Sequence, residues 1–230
     1  MNLLKKIRIK WMKIRLKPIR VFAFHQVSDT FDESMMEPID WLQTEKFKQC
    51  IDSLREEGYT FISLQEAHKK IRNDVFRFHK YAVLTADDGW ASLKNILPWL
   101  NEQHIPITLF LNPAYLDGKH FRDRNTEKYL TEEEVQNLYT QYPLLTIGSH
   151  GWEHVEAKKQ TLEEFEKSVT QSHEYLRRYP NYIPYFAYTW GRYNSKTHTK
   201  LIPYGITPVT INGKNYHNIT TVDRELLTYV

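Results

Sequence analysis

Four residues have chemical types and a spacing that fit a hydrolytic metal centre, and two of them are adjacent carboxylates. Asp87 and Asp88 directly follow the apolar run 81–85. Neighbouring carboxylates at the end of a buried strand repel each other unless a cation or hydrogen bonds offset the repulsion. An Asp-Asp-Gly turn whose side chains cap the backbone accounts for the same residues without any chemistry. Both interpretations are open from this segment alone.

The other two residues are His150 and His154, which follow the apolar run 144–148. Imidazoles four residues apart meet on one side of a helical turn, so both can reach the same metal ion. Together the two segments offer one carboxylate and two imidazoles as ligands, with a second carboxylate beside them. Three protein ligands leave coordination positions open, and the spare carboxylate can take a proton from a metal-bound water. The combination therefore indicates metal-dependent hydrolysis more specifically than either half.

Apolar runs and helical patterns alternate along the whole chain and must position these residues. Alternation at this spacing predicts an α/β fold with one mainly parallel sheet of about seven strands, closed or partly closed into a barrel. Chemistry in such folds gathers at the carboxyl ends of the strands. The predicted strands are 21–27, 60–63, 81–85, 107–111, 144–148, 185–188 and 206–211, and the predicted helices are 44–57, 64–72, 91–102, 131–142, 161–179 and 195–202. Capping boxes open two of the helices, at Thr131 and at Thr161.

Several segments of the chain resemble motifs of the polysaccharide deacetylases, also called NodB-homology or carbohydrate esterase family 4 domains. Thr-Ala-Asp-Asp-Gly at 85–89 is similar to their Thr-Phe-Asp-Asp-Gly motif, and 150–154 is similar to His-Ser/Thr-x-x-His. The segment 21–27 resembles the early "YHRV" strand of one branch, and 47–64 matches the family's next segment after that strand. The segment 186–191 resembles Phe-Ala-Tyr-Pro-Tyr-Gly.

The resemblance implies a deformed (β/α)7-type barrel, which we expect as a single catalytic domain over 20–230 after a basic extension over 1–19. By position, Asp87 would be the general base, and Asp88, His150 and His154 would hold one divalent metal ion. Zinc is the usual ion, and related enzymes accept cobalt, nickel or iron. The implied activity is that of a hydrolase acting on C–N bonds other than peptide bonds. It removes an acetyl group from an N- or O-acetylated sugar of a polysaccharide or glycan precursor, as in cell-surface glycan biosynthesis.

The chain departs from the family pattern at several positions. Gly151 stands where the family prefers Ser or Thr, so a hydroxyl that could brace the second histidine's loop is missing. Ala187 takes the place of an arginine that many members use to orient the catalytic Asp. The Leu-x-His motif that carries the general acid is absent. His217 is the one histidine after residue 205, and it is either a candidate acid or a loop histidine.

Aromatic residues are 14% of the chain, and aromatic rings stack on sugars as readily as they fill cores. We predict four substrate contacts at the predicted strand ends and in the family motifs: His25, Trp90, Tyr188 and Trp190. His25 also fits a core histidine. Thr189 and Trp190 replace the Pro and Tyr of the third motif, which remodels the expected substrate wall.

The net charge of +3 is too small to predict a nucleic-acid partner, and we expect a carbohydrate instead. Basic residues are concentrated in residues 1–20, which contain eight Lys and Arg and no acidic residue. Residues 1–17 could form an amphipathic helix at an anionic membrane surface, a strand, or a solvated extension. We find no run of spanning length and no secretory signal, and the single Cys50 excludes an intramolecular disulfide. These features predict a cytoplasmic protein, peripheral at the cytoplasmic membrane face.

The sequence is compatible with two classes of function. The first is an active deacetylase, or a related hydrolase acting on another amide. The second is a catalytically impaired, deacetylase-like module that binds a glycan or a partner without turnover. Asp87 favours the active enzyme, because a base is needed only for chemistry.

Overall fold

The computed structural model describes residues 18–29, 41–73, 78–118, 128–213, 215 and 220–227. Two of our predictions fall outside these residues: the extension over 1–17 and the candidate acid His217. The boundary between extension and catalytic domain therefore stays a prediction. Among the helices within the described ranges, none combines the length and apolar character that crossing a membrane requires.

The described strands form one large parallel sheet and one short pair. They are β1 (Ile19–Phe24), β2 (Gln26–Val27), β3 (Trp41–Leu42), β4 (Tyr59–Phe61), β5 (Lys80–Ala86), β6 (Ile107–Leu111), β7 (Leu145–Ser149), β8 (Tyr182–Ala187), β9 (Thr207–Thr210), β10 (Val222–Asp223) and β11 (Glu225–Leu226). The order in the large sheet is β10-β9-β8-β7-β6-β5-β1-β11, with β4 also paired to β5, and β2 pairs with β3. The predicted, mainly parallel sheet is confirmed.

The last two strands bring the two ends of the sheet together, so that it is nearly closed into a barrel. β10 pairs with β9, whereas β11, which begins two residues later, pairs with β1 at the other end of the order. Backbone bonds continue on both sides, from the amide of Arg224 to the carbonyl of Thr210 and from the amide of Leu227 to the carbonyl of Ala23. Strands of two residues carry no hydrophobic period, so the sequence predicted fewer strands than the structure has.

The helices alternate with these strands as predicted. They are α1 (Thr44–Glu56), α2 (Leu64–Asn73), α3 (Leu97–Glu102), α4 (Glu132–Gln141), α5 (Leu162–Leu176) and α6 (Ser195–Thr199). The capping boxes at Thr131 and Thr161 are both formed. The helix predicted over 91–102 is divided into a 3-10 turn at Ala91–Asn95 and α3, because Pro98 is compatible only with the first turn of a helix.

Alternate residues of the strands pack into different cores, because successive side chains point to opposite faces. Phe22 and Leu84 join the cluster that covers the sheet beneath α1 and α3. Val21, Val83 and Phe110 join a second cluster with residues of α2. The site therefore rests on strands that are packed on both faces.

Candidate metal centre

Neighbouring parallel strands bring the predicted residues to one edge of the sheet. β5 ends at Ala86 and β7 ends at Ser149, so Asp87, Asp88 and His150 follow strands that are separated only by β6. The residue after β6 is Asn112, whose amide donates to the carbonyl oxygens of His150 (2.8 Å) and Gly151 (3.3 Å). This bond fixes the start of the histidine loop to the strand between the two halves of the site.

The three predicted ligands lie together. Oδ1 of Asp88 is 3.4 Å from Nε2 of His150 and 3.3 Å from Nε2 of His154. The potential ligand atoms of all three side chains lie within 4.8 Å of one another. Asp88 and His150 are buried, and His154 is partly exposed. The arrangement has a closed side and an open side, as a catalytic metal site requires.

Protonation states in this cluster favour a cation. Nδ1 of His150 is 2.8 Å from the carbonyl oxygen of Ala187, which can only accept, so Nδ1 carries the proton and Nε2 presents a lone pair to Asp88. Burial lowers the pKa of His150 to about 4, which keeps the ring neutral at pH 7. Burial raises the pKa of Asp88, but His154, His25 and His150 together lower it below its ordinary value.

Two hydrogen-bond acceptors, Oδ1 of Asp88 and Nε2 of His150, therefore face each other in the buried part of the site. Oδ1 of Asp88 has no hydrogen-bond donor among the described residues. A buried charged acceptor in this situation is strongly unfavourable unless a positive charge lies against it. A divalent ion bound by the carboxylate and two imidazoles satisfies all three groups, so the residues present fit the metal that the motifs predict.

Backbone conformation at the end of β5 turns Asp88 towards the histidines. Asp88 has φ 70° and Gly89 has φ 76°, two consecutive left-handed residues. A Cβ at position 89 would lie 2.7 Å from the side chain of Leu111, so a larger residue would displace that side chain as well as strain the backbone. A left-handed aspartate is strained by about 1 kcal/mol or more, and such strain concentrates at functional sites.

Asp87 is held by an arginine that the sequence did not predict. Nη1 and Nη2 of Arg224 donate to Oδ1 and Oδ2 of Asp87 at 2.6 and 2.8 Å, and Nη1 also donates to Oγ1 of Thr85 at 3.1 Å. The Arg224 side chain is completely buried, and its guanidinium lies over the ring of Phe110. Burial raises the pKa of Asp87, but the charge and the hydrogen bonds of Arg224 hold it well below its usual range.

Two groups that the sequence lacks, the arginine at position 187 and the hydroxyl at position 151, are replaced by other residues. Arg224 contacts Asp87 in the way expected of the arginine missing at Ala187, whose own carbonyl orients His150. At Gly151 the backbone has φ 93°, and a Cβ would lie 3.0 Å from the carbonyl oxygen of Glu153, so Ser or Thr would be strained there. Hydroxyls from elsewhere brace this loop: Ser149 accepts from the amide of Gly151 (3.2 Å), Ser168 from that of Trp152 (2.9 Å) and Tyr115 from that of His154 (3.1 Å).

The four predicted substrate contacts differ in exposure. Trp90 and Tyr188 are 1% and 0% exposed, so neither presents a surface to a substrate, contrary to our expectation. Trp190 is 55% exposed, and its ring centroid is 4.3 Å from that of His154. His25 is half-buried and directly follows β1, whose last residue, Phe24, accepts a hydrogen bond from the amide of Asp87 at 3.0 Å, so His25 lies at the site.

Structural comparisons place the fold among known deacetylases. At 18% identity, Streptococcus pyogenes deacetylase PplD, solved in complex with acetate, matches with a TM-score of 0.76 over 92% of this chain and 93% of its own. IcaB from Ammonifex degensii matches at 19% identity with a TM-score of 0.75 over 93% and 94% of the two chains. A de-N-acetylase from Aggregatibacter actinomycetemcomitans matches at 18% identity with a TM-score of 0.76 over 93% and 96%. The predicted barrel fold is confirmed.

Sequence comparisons agree with the motifs. YxkH of Bacillus subtilis (strain 168), which carries the name of a polysaccharide deacetylase, is 23% identical over 191 residues. The match covers 81% of this chain but 62% of YxkH, so the chain spans less than two thirds of that relative's length. The family model described as polysaccharide deacetylase matches residues 77–209, which include both halves of the metal centre and more than half of the chain. The chain belongs to the polysaccharide deacetylase family.

Proposed function

We propose that this protein is a metal-dependent hydrolase that removes the acetyl group from an acetylated sugar of a polysaccharide or glycan precursor. One observation carries the proposal: the carboxylate of Asp87 is held by Arg224, and Asp87 is the neighbour in sequence of Asp88, whose ligand atoms cluster with those of His150 and His154. A ligand set and a separate base near it are what metal-assisted hydrolysis requires.

The ligand atoms would be Oδ1 of Asp88 and the Nε2 atoms of His150 and His154. When bound there, a divalent cation, in first place Zn²⁺ and otherwise Co²⁺, Ni²⁺ or Fe²⁺, supplies Lewis acidity towards an acetyl carbonyl and a water molecule. His150 is prepared for this role by the Ala187 carbonyl, which fixes its tautomer with Nε2 unprotonated.

Asp87 would take the proton of the attacking water. Each of its carboxylate oxygens accepts one bond from Arg224 and keeps a second lone pair for a proton. Its lowered pKa makes it a weak base towards ordinary water, so it suits a water whose own acidity is raised. Arg224 also prevents the carboxylate from rotating away.

His25 is our candidate for the group that protonates the departing nitrogen. It lies outside the ligand set, and it directly follows Phe24, whose carbonyl oxygen accepts from the amide of Asp87 at 3.0 Å. In the proposed reaction, water oxygen bonds to the acetyl carbon, its proton passes to Asp87, the C–N bond breaks, and the nitrogen receives a proton from His25. The products are a free amine and acetic acid, which ionises to acetate, and the proton on Asp87 returns to His25 through solvent.

The impaired-module alternative loses one of its two grounds. It rests on the altered third motif, in which Ala187 replaces an arginine, and on the missing Leu-x-His motif. Arg224 supplies the arginine contact to Asp87, and the missing acid is taken up by our candidate His25. The names of similar proteins, which include a de-N-acetylase and deacetylases, support N-acetyl groups as the substrate class. Trp190, exposed against His154, is the surface we propose for the sugar ring.

The decisive experiment measures bound metal and acetate release from N-acetylglucosamine oligomers. We expect Asp87→Asn to keep its metal and lose activity by a factor on the order of 10² to 10⁴, the usual contribution of a general base. Asp52→Asn, on the exposed face of α1, is the matched control and should behave as the wild type. Undiminished acetate release by Asp87→Asn would contradict the mechanism, and a wild type that binds no added metal would contradict the ligand assignment.

Our proposal for the location of the protein in the cell rests on the amino-acid sequence. We propose that residues 1–17 contact the cytoplasmic face of an anionic membrane and that the protein has no nucleic-acid partner. Deletion of residues 2–17 should abolish cosedimentation with anionic lipid vesicles. Equal cosedimentation of the deleted and full-length proteins would remove the proposal.

A further inference from the structure

We infer that three aromatic side chains, Trp90, Tyr129 and Tyr115, position two of the metal ligands from outside the ligand set. We call these three residues the aromatic brace. The inference rests on the metal site of the proposed function. The brace begins at Asp88 and ends at His154, which follow different strands.

At the first end, the brace holds the carboxylate of Asp88. The indole N–H of Trp90 donates to Oδ2 of Asp88 at 3.2 Å, while Oδ1 faces the two imidazoles. Trp90 is almost completely buried, so its ring cannot move without disturbing the core. A donor on one carboxylate oxygen opposes rotation about the Cβ–Cγ bond and thereby keeps the other oxygen aimed at the metal position.

At the second end, the brace holds the backbone of His154. The hydroxyl oxygen of Tyr115 accepts from the amide of His154 at 3.1 Å. His154 has more need of support than His150, because its side chain is 23% exposed rather than 1% and it lies in a loop without helix or strand. The ring of His150, by contrast, is fixed by a carbonyl of β8.

Tyr129 joins the two ends. Its ring is stacked on Trp90 with centroids 4.4 Å apart and 26° between planes, and it lies 4.9 Å from the ring of Tyr115 at 33°. The backbone is tied as well, because the amide of Ala91 donates to Lys128 and that of Leu130 donates to Gly89, each at 2.8 Å. Contacts therefore run from Asp88 through Trp90, Tyr129 and Tyr115 to His154, and return to Asp88 across 3.3 Å.

A closed circuit of contacts has a functional consequence. Asp88 and His154 come from strand ends separated by β6, and their relative position determines whether one ion can bind both. Loss of the middle ring would free both ligands at once, whereas loss of the Tyr115 hydroxyl would free only the histidine loop. Groups that support ligands in this way typically alter metal affinity 10- to 100-fold when they are changed.

The test titrates the full chain with Co²⁺ in competition with a chromophoric chelator, and records the visible absorption of the Co²⁺ form. We expect Tyr129→Leu to weaken Co²⁺ affinity about 10- to 100-fold and to change the ligand-field bands. The separate variant Tyr129→Phe keeps the ring and should have the affinity and the bands of the wild type. Tyr115→Phe, which keeps the ring, should weaken affinity by about tenfold, the lower end of that range, since one of the two ends is released.

Matched controls come from the other end of the barrel. Tyr142→Leu removes a partly buried ring near the start of β7. Tyr182→Phe changes the first residue of β8 and removes a hydroxyl that is hydrogen-bonded to His173. Both should bind Co²⁺ as the wild type does, with an unchanged spectrum. A purely structural role for the brace would affect melting temperature alike in all variants and leave Co²⁺ affinity and spectrum unaltered.

The outcomes separate this inference from the proposed function. A wild type that binds no Co²⁺ contradicts the proposed metal site itself. A wild type that binds Co²⁺ while Tyr129→Leu and Tyr115→Phe match it in affinity and spectrum overturns the brace. If Tyr129→Leu does not fold, Tyr115→Phe alone decides, because it removes a single oxygen atom.

Discussion

Arg224 and Asp87 are 137 residues apart in sequence, and their side chains form a two-bond ion pair inside the barrel. Arg224 lies between β10 and β11, at the seam where the sheet closes, and Asp87 directly follows β5. The pair therefore joins the junction of β10 and β11 to the residue that follows β5. The same arginine lies where the two ends of the sheet meet and supports the proposed base.

Replacement of Arg224 by methionine should both destabilise the protein and shift its pH–rate profile. A buried carboxylate left without its partner costs about 3–5 kcal/mol. Without the charge of Arg224, burial should raise the pKa of Asp87 in this variant. The acid limb of the kcat/KM profile should therefore move to higher pH. Urea denaturation and the pH profile of acetate release measure the two effects.

Arg20→Met is the matched control for this variant. Arg20 forms a similar two-bond pair with Glu225, but both side chains are partly exposed, so we expect a loss of about 1 kcal/mol or less and no change of profile. An Arg224→Met protein with the wild-type stability and acid limb would show that Arg224 does not support Asp87.

Restoring the family's hydroxyl with Gly151→Ser should weaken the site. The new Cβ would lie 3.0 Å from the carbonyl oxygen of Glu153 at a φ of 93°, so the loop between the two histidines must move. We expect a stability loss of about 1–3 kcal/mol and weaker Zn²⁺ binding. Gly58→Ser is the control, because Gly58 also has a positive φ (85°) but nothing within 4 Å of the added atom. Equal Zn²⁺ affinity in both variants would contradict the prediction.

Trp190→Gly should affect sugar binding and leave the metal centre intact. Trp190 has φ 52° and ψ 15°, a left-handed conformation that costs a non-glycine residue about 1–3 kcal/mol. Glycine relieves this strain, which should offset the lost contact with His154, so we expect unfolding free energy within about 1 kcal/mol of wild type. Loss of an aromatic stacking surface should raise KM for an N-acetylglucosamine oligomer about tenfold.

Phe78→Ala provides the comparison for Trp190→Gly. Phe78 is 77% exposed and precedes the amino end of β5, opposite the edge that carries the site. Its removal should leave KM unchanged. A Trp190→Gly enzyme whose KM equals that of Phe78→Ala would remove Trp190 from the substrate surface.

The metal-free protein should lose stability as the pH falls from about 6.5 to about 4. Burial holds His150 neutral with a pKa of about 4, whereas the unfolded chain binds this proton near pH 6.5. The stability that the neutral His150 contributes is present in full above pH 6.5 and disappears as the pH falls towards 4. Its upper limit is about 3 kcal/mol. Urea denaturation in a chelator measures it, and His150→Asn should show a shallower dependence. Parallel curves for the two proteins would contradict the burial of a neutral imidazole.

Local features of the chain could be predicted because local spacing determines them. The two histidines share one loop, the two aspartates share one turn, and each pair directly follows an apolar strand, so their meeting needs only that the strands be parallel and close. The alternation of helix and strand and the capping boxes at Thr131 and Thr161 are likewise properties of short segments.

Contacts between distant segments were decided only by the tertiary structure. The short strands on either side of Arg224 carry no hydrophobic period, so nothing in the chain indicated that this arginine would meet Asp87. The same holds for Tyr115 and Tyr129, whose rings contact each other although they are distant from the ligand loops in sequence. Burial is also a collective property, which is why Trp90 lies in the core while Trp190 is exposed. Residue types and spacing determined which chemistry this protein could hold, and closure of the barrel decided which side chains support it.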